Sequence, residues 1–413
     1  MNRTFTRARR LLGGIAAFGA HLPGRGYIDV RANHMLEAYR RRRERYAAES
    51  LRLGLFYDPA RVASRTAARL SATGVSVRRR ARDEPVHTLA FFPDISWHAQ
   101  MLGPLRELGP VSHFDYARHG LDPYDLVARK PGALELRAGC LEAFEQYARE
   151  AGRRQPVDWV FVYALGIEIT RAALARVRAI TGAPVVGMCL DDKQSWEAEP
   201  YGGEPAGQVA HAGSFDLGWT SARVACEWYM VEGGNPVFLG EGCSPDLYAP
   251  AGDDLARDVD VCFVGARYGF RPWFVRRLER AGIRVTTAGQ GWESGPLSDD
   301  RMIALMQRSK IILGLGGVGW SPDLKNVKGR DFDAPCVGPY VTSFNPDLAG
   351  MFRMGEEIAC YSTPDEAVEV ARELLREDDK RIRLAQRGRE RCLAEHTWRH
   401  RFETVLRLLG VRA

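Results

Sequence analysis

The stretch DVDVCFVGARYGFR, residues 258–271, decides the fold prediction for this chain. Its first part, 258–266, ends in a continuous apolar run, which is typical of a strand buried on both faces. A helical pattern over 270–282 and a second strand pattern over 283–289 follow directly. A strand, a helix and a strand in this order predict a parallel sheet, because parallel strands need a crossover connection.

The same alternation continues in both directions along the chain. Upstream of this segment, apolar runs predict strands at 87–92, 111–115, 157–165, 183–192, 215–222 and 235–242. Downstream, they predict strands at 310–316, 336–343 and 357–361. Helical patterns lie between many of these strands, at 132–151, 169–182, 299–309 and 363–378. The sequence therefore predicts an α/β protein with two doubly wound parallel sheets in tandem.

A polar segment with Pro and Gly, residues 249–258, separates the two sets of strands and is the predicted linker. On this basis we predict a basic helical extension, two sheet domains and a carboxy-terminal helix, at 1–85, 86–250, 258–395 and 396–413. One long helix is predicted over 379–409, and crossing back to the first sheet domain is an option for its last part. Ligands are expected in a cleft between the domains, at the carboxyl ends of their strands.

The composition of the 413 residues is that of a globular protein, with 45% hydrophobic and 27% charged residues. The net charge of +6 favours anionic small molecules or membrane surfaces as partners, without requiring nucleic acid. The eight cysteines form no CxxC pair, so we expect reduced thiols in a cytoplasmic protein. No apolar run reaches the length of about 18 residues that a transmembrane helix needs.

Residues 1–85 are rich in arginine, with RRRRER at 40–45 and RRRAR at 78–82. One interpretation is a basic amphipathic arm that contacts anionic lipid at the inner membrane face, or an acidic acceptor. The other is a solvated helical face in a protein that uses arginine throughout. Nucleic-acid binding is not expected, because no aromatic residues are interleaved with the arginines.

Cationic residues and glycines follow the strands of the second domain, where an open α/β sheet binds ligands. Gly265 and Arg267 follow its first strand, and Lys325, Lys328 and Arg330 follow a later one. Lysine is rare in this chain, at six of 58 basic residues, which makes the lysine pair notable. A pyrophosphate is bound by cations and by backbone N–H groups that glycine allows to approach closely. The pattern favours a diphosphate nucleotide site, and the alternative is a solvent-facing loop.

Further residues of this domain fit the rest of a nucleotide. Asp333 directly precedes the predicted strand 336–343, where a carboxylate can accept hydrogen bonds from ribose hydroxyls. Gly289, Gly291 and Trp292 form the motif GQGW after another strand and offer glycines and an aromatic edge near a base.

Two other motifs carry less weight. The run GLGGVG at 314–319 fits the dinucleotide pattern, but WSPDLKN follows it where a helix should open. The histidines of HTWRH, 396–400, are one helical turn apart, yet no third ligand is nearby. We therefore expect neither a nicotinamide site nor a metal site, and we found no P-loop.

From about residue 215 onward the chain resembles the CgeB-like branch of the group-1 glycosyltransferases, which have the GT-B fold of two Rossmann-like domains. The resemblance rests on the order and spacing of several words, FDLGWTSARVACEWYMVEGGNPVFLGEGCSPDLYAP, DVDVCFVGARYGFR, AGQGW, KGRDFDAPCVGPYVTSFNPDLAGMF, GEEIACYSTPDEA and AEHTWRHRF. The amino-terminal half agrees more loosely, through FFPDISW and the MCLDD strand end, and residues 1–85 match no part of the family.

The resemblance implies transfer of a hexosyl or related sugar from a nucleotide diphosphate donor, bound by the carboxy-terminal domain without an obligatory metal or other cofactor. The family uses two glutamates, separated by seven residues, to contact the donor sugar and the ribose. Asp333 matches the second acid, whereas Lys325 stands at the place of the first. The donor-sugar contact is then expected from Lys325, or from the loop around Ser321 and Asp323.

The acceptor is expected to bind the amino-terminal domain. Asp191 and Asp192 end a buried strand, His98 follows the first strand of the domain, and Glu168 follows the strand at 157–165. Any of these groups could hold or deprotonate an acceptor hydroxyl of a glycan, a lipid-linked sugar or a small molecule. Each of them could equally be a helix-capping acid or a buried histidine.

Two alternatives to a transferase remain at this point. A nucleotide-sugar epimerase has the same two-domain architecture and would convert a sugar nucleotide without an acceptor. A non-catalytic binding or scaffold protein could keep the fold and turn over no donor.

Overall fold

The computed structural model describes residues 25–94, 96–252 and 255–413, without the side chains of residues 25–29, 96 and 97. The described residues form two compact units. The amino-terminal unit consists of Arg40–Ser244 and His396–Ala413. The carboxy-terminal unit consists of Pro245–Glu395 and the described residues up to Tyr39.

Six strands of the amino-terminal unit form one parallel sheet in the order β2-β1-β3-β4-β5-β6. These strands are β1 (Thr88–Phe91), β2 (Val111–Phe114), β3 (Trp159–Val162), β4 (Val185–Cys189), β5 (Leu217–Thr220) and β6 (Pro236–Phe238). Its helices are α2 (Val62–Ala72), α3 (Leu102–Leu108), α4 (Pro123–Val127), α5 (Ala133–Arg154), α6 (Arg171–Thr181), α7 (Asp192–Ser195), α8 (Ala225–Val231) and α15 (Trp398–Leu409).

Five strands of the carboxy-terminal unit form a second parallel sheet in the order β11-β10-β9-β7-β8. They are β7 (Val259–Val264), β8 (Val285–Ala288), β9 (Ser309–Leu313), β10 (Tyr340–Ser343) and β11 (Ala359–Tyr361). Its helices are α9 (Arg271–Arg280), α10 (Asp299–Gln307), α11 (Arg330–Val337), α12 (Pro346–Ala349), α13 (Pro364–Arg376) and α14 (Asp378–Glu395). The first helix, α1 (Arg25–Leu53), begins in this unit and ends in the other.

Both faces of the first sheet are apolar, which is why its strands read as continuous apolar runs. Leu89 and Phe91 of β1 join one core cluster, while Ala90 joins the cluster on the opposite face. Trp398 and Phe402 of α15 belong to that second cluster, so the end of the chain packs against the first sheet. The prediction of two parallel, doubly wound α/β sheets is confirmed.

Two predicted elements differ from the structure. The predicted strand 336–343 starts only at Tyr340, because Cys336 and Val337 end the buried helix α11. A short apolar run cannot distinguish a buried strand from a buried helix end, and Gly338 marks the break. The predicted helix 379–409 is two helices, because Thr397 accepts the backbone N–H of His400 and caps α15.

Arginines of both basic clusters make contacts within the amino-terminal unit. Arg42 is buried, donates to Glu197 at 3.0 Å and lies over the ring of Trp228. Arg80 donates to the buried carboxylate of Asp158 at 2.9 Å. These arginines stabilise the fold, and contact of the remaining ones with a membrane stays a prediction. None of the helices in the described part of the chain is both long and apolar enough to span a bilayer.

Gly187 in β4 offers a test of the packing between the sheet and the segment before β5. A methyl group at this position would overlap the buried ring of Phe215. We expect Gly187→Ala to lower the free energy of unfolding by about 1–3 kcal/mol, as overpacking does. Urea unfolding measures the change.

Gly139→Ala is the matched control, since Gly139 is exposed on α5 with open space around it and alanine favours a helix. Equal stability of the two variants would contradict the tight packing at β4.

Candidate functional site

The loops after β7, β8 and β9 meet at the carboxyl edge of the second sheet. The backbone N–H of Gly265 donates to Ala288 O at 2.8 Å, and that of Arg267 donates to Gln290 O at 2.8 Å. Gly289 has a φ of +130°, and a Cβ there would overlap Gly265 O. Glycine is required at this crossing because any side chain would separate the two loops.

Arg271 is the central charged residue of this edge. It is the first residue of α9, is 4% exposed, and donates from Nη1 to Ala266 O at 2.9 Å. Its guanidinium lies 4.1 Å from the ring centroid of Tyr268, and burial lowers its pKa to about 10. Its buried Nε makes no hydrogen bond to any described residue.

Arg330 lies beside Arg271. It begins α11, and its Nη2 is 2.7 Å from the point that a Cβ on Gly265 would occupy. On the same criterion, Arg271 Nη1 is 3.5 Å from that point. No carboxylate in the described ranges forms an ion pair with Arg271 or Arg330. We call these two residues the arginine pair. Arg271 is buried and Arg330 is half-buried, and two neighbouring cations are a site suited to an anion.

The predicted residues of the first two loops lie against the arginine pair. Trp292 donates from Nε1 to Gly265 O at 2.8 Å, and Arg267 lies over its ring at 5.7 Å. Gly291 has a φ of +85° and packs against Arg267. The structure therefore brings Gly265, Arg267, Gly289, Gly291, Trp292 and Arg330 into one region.

The lysines and Asp333 belong to the segment between β9 and β10. Lys325 is half-buried and donates from Nζ to Phe344 O at 2.8 Å, and burial lowers its pKa. The backbone N–H of Lys328 donates to the buried Asp331 at 2.9 Å. Asp333 is buried in the first turn of α11.

Sequence reasoning missed Arg271 and Asp331. The carboxylate of Asp331 also accepts the hydroxyl of Tyr340 at 2.5 Å, and burial raises its pKa. It thereby ties the start of α11 to β10. The signal for Arg271 was present in the sequence, as an arginine that opens a helix directly after a Gly-rich strand end.

The amino-terminal unit has a polar cluster at the carboxyl edge of its own sheet. The ring of His98 meets that of Tyr163 edge-on at 5.1 Å, and burial lowers the pKa of His98 to about 4. Burial raises the pKa of Tyr163, and the nearby charges of Asp191 and Glu241 raise it further. Asp191 also accepts Gln194 Nε2 at 2.8 Å. The structure thus groups His98 and Asp191 with two residues that we did not predict.

The other two predicted acids face the interior. Asp192 is fully buried, accepts the hydroxyls of Thr220 and Tyr229, and has a pKa raised to about 7 by burial. Glu168 is 6% exposed, accepts the backbone N–H of Leu165 at 2.5 Å, and has a pKa raised to about 7 by burial. Both carboxyl groups therefore stabilise the local structure through these hydrogen bonds.

The two weaker motifs have structural roles. His396 Nδ1 lies 3.0 Å from Arg401 Nη2, and His400 Nδ1 lies 2.7 Å from Thr397 Oγ1, so the histidines have different partners. After the glycine run at 314–319, the next helix begins only at Arg330. A Cβ on Gly314 would overlap the Tyr340 hydroxyl, which explains glycine there without a dinucleotide.

The raised pKa of Asp192 predicts a pH-dependent cost. The protonated carboxyl is favoured in the fold, so this contribution to stability is full below pH 4 and is lost as the pH rises towards and through 7. Asp192→Asn removes the titration. We expect the free energy of unfolding of the variant to gain about 2–4 kcal/mol on the wild type between pH 4 and 8. Urea unfolding across this range measures the difference, and parallel pH profiles would contradict it.

Residues 271–407, about a third of the chain, match a family described as glycosyl transferase-like. No curated protein matches the chain in a sequence comparison.

Several solved structures share the fold at low sequence identity. Sucrose-phosphate synthase from Thermosynechococcus elongatus is 11% identical, with a TM-score of 0.55 over 78% of this chain and 99% of that one. AviGT4, a glycosyltransferase involved in avilamycin A biosynthesis, is 16% identical, with a TM-score of 0.51 over 79% and 98%. HepE from Anabaena, solved with UDP and glucose, is 13% identical, with a TM-score of 0.50 over 78% and 98%. The two parallel sheets and their helices match the GT-B fold of these glycosyltransferases.

Proposed function

We propose that this protein transfers a sugar from a nucleotide diphosphate donor to a hydroxyl acceptor, with the donor bound by the carboxy-terminal unit. The observation that carries the proposal is the arginine pair, Arg271 and Arg330, which form no ion pair with a described carboxylate. It lies at the carboxyl edge of a parallel sheet, where such folds bind ligands. The segment that matches the glycosyl transferase-like family, residues 271–407, contains both arginines.

A diphosphate would relieve the cost of burying the charge of Arg271. Taking a guanidinium out of water costs several kcal/mol unless an anion or hydrogen bonds compensate. Arg271 has one carbonyl partner and a buried Nε without one, so a phosphate oxygen would complete its shell. Because Gly265 has no side chain, both guanidiniums can lie close to the backbone here.

The same charges would assist the reaction. When the sugar leaves, negative charge grows on the departing nucleotide diphosphate, and fixed cations stabilise that charge without reorganising. We propose that Arg267, Arg271, Arg330, Lys325 and Lys328 supply the positive charge, so that no divalent metal is required. Trp292 and Asp333 are proposed to contact the base and the ribose.

The polar cluster of the amino-terminal unit is the proposed acceptor side. His98 has its pKa lowered to about 4, so its ring is neutral near pH 7 and can accept a proton from a hydroxyl. Asp191 and the additional residues Tyr163 and Glu241 offer hydrogen bonds to hold a sugar. Asp192 and Glu168 are buried, and we propose that they support the residues of this cluster rather than contact the acceptor.

The location of the protein is also a proposal. All eight cysteines are free thiols and seven are buried, which fits a reducing compartment such as the cytoplasm. In the first basic cluster, the exposed Arg40 and Arg43 are candidates for contact with a membrane or an acidic acceptor.

Arg271→Ala tests the donor site. Loss of a charge-assisted contact should weaken the binding of the preferred nucleoside diphosphate at least about tenfold. Arg271→Ala also loses the hydrogen bond to Ala266 O and the contact with Tyr268, so thermal unfolding is measured alongside to separate lost binding from lost stability. Calorimetric titration with UDP, GDP, ADP and TDP measures affinity, and a hydrolysis screen over their sugars measures turnover.

Arg280→Ala is the matched control for Arg271→Ala. Arg280 is the last residue of the same helix and is exposed. Its replacement by alanine removes the same charge from the same unit. Equal nucleotide affinity in the two variants, or no nucleotide binding by the wild type, would refute the proposed donor site. Conversion of the donor sugar without any acceptor would instead identify an epimerase.

Lys328→Ala tests the second part of the donor site. We expect weaker diphosphate binding, by about threefold to tenfold, and a smaller dependence of affinity on salt, because one cation is lost. Lys310→Ala serves as the control, since Lys310 pairs with Asp260 within the sheet. Donor turnover at the unaltered rate in Lys328→Ala would remove this lysine from the site.

A further inference from the structure

The amino-terminal part of α1 packs on the loop that carries the lysine pair. Both segments belong to the carboxy-terminal unit. The guanidinium of Arg31 lies over the ring of Trp320 at 5.1 Å. Met35, one helical turn later, approaches Gly319, where an added Cβ would lie 3.3 Å from Met35 Cε. This contact gives residues 31–35 a role that the sequence did not reveal.

Trp320 has an unusual backbone. Its φ is +72°, a left-handed conformation that is rare for a bulky residue. Such a conformation persists only when its surroundings impose it. The ring of Tyr268 meets Trp320 edge-on at 6.2 Å, and Arg31 lies over the same indole. The contacts of Trp320 therefore come from two other segments of the unit.

The loop around Trp320 is a compact turn next to the arginine pair. Val318 N donates to Leu324 O at 2.8 Å, and Asn326 N donates to Gly316 O at 3.1 Å. A Cβ on Gly269 would lie 2.9 Å from Trp320 Cα, so this loop touches the one between Arg267 and Arg271. A shift of Trp320 would move both.

The two lysines lie at the end of this turn and just after it in the chain. Lys325 pairs through its backbone with Gly317 in the turn, and Lys328 follows three residues later. Arg330 then opens α11. The position of the turn thus sets where the predicted phosphate-binding side chains begin.

We propose that Arg31 and Met35 are positioning residues for the donor site, which act by holding Trp320 and the turn 316–326 against the loop after β7. The amino-terminal segment of α1 is then part of the binding machinery for the nucleotide diphosphate. The binding part of this inference rests on the proposed function, whereas the bracing of the turn does not.

Hydrogen exchange of the full-length protein tests the bracing without any ligand. In Arg31→Ala and in Met35→Ala, the amides of Val318 and Asn326 should exchange about threefold faster or more, because a cation–π or packing contact is lost. Arg31→Lys keeps the cation and should restore most of the protection. Asn33→Ala, at an exposed position of the same helix segment, should exchange like the wild type.

Titration with UDP, or with the nucleoside diphosphate that the wild type prefers, tests the link to the site. The affinity of Arg31→Ala and Met35→Ala should fall about threefold or more, and the affinity of Arg31→Lys should be close to that of the wild type. The unfolding temperatures of these variants should equal that of Asn33→Ala. Unchanged exchange in both variants would overturn the bracing. Faster exchange with unchanged affinity would overturn the positioning role. A wild type that binds no nucleotide would refute the donor proposal, while the exchange data would still decide the bracing.

Discussion

The chemistry proposed for this protein depends on a buried guanidinium that has no acidic partner. Arg271 is 4% exposed, and Arg330 approaches the same point beside Gly265. A protein that only needed stability would pair these charges with carboxylates or replace them with apolar residues. Keeping Arg271 buried without an ion-pair partner is costly, and the proposed anion would recover that cost. Ion pairs between two exposed side chains, such as Arg52–Glu49 and Arg376–Glu377, contribute little to stability by comparison.

The loops that surround this charge are built so that they touch through their backbones. Gly265 and Gly289 meet without side chains between them, and Gly269 lies directly against Trp320. A close backbone approach of this kind is possible only where glycine leaves out the side chain. Arg267 and Trp292 stack on each other at the rim of the same region. Contacts between loop backbones therefore define the shape of this region, and the charged side chains project from these loops.

The extension of the chain before the first sheet is part of both units. Before Tyr39 it contacts the turn next to the arginine pair, and after Arg40 its arginines pair with acids of the amino-terminal unit. The density of arginine in this segment thus has a structural explanation at Arg42, Arg45 and Arg80. Burial of an arginine stem with a paired head also explains how a basic cluster can pack against a core.

The amino-acid sequence by itself determined the parallel sheets, since strands buried on both faces must be apolar along their whole length. It also indicated the loops of the site, because Gly265, Arg267, Gly289 and Trp292 directly follow strands whose carboxyl ends share one edge. It misplaced Cys336 and Val337, since a buried helix end and a buried strand are equally apolar.

Only the tertiary structure decided which charges are neutralised. Arg42, Arg80, Arg271 and Arg330 look alike in sequence, yet the first two meet carboxylates from distant parts of the chain and the last two do not. The partners of Arg42 and Arg80 lie more than 70 residues away, at Glu197 and Asp158. Residue type and local spacing fix secondary structure, but the balance of charge at a site is set by which segments the fold brings together.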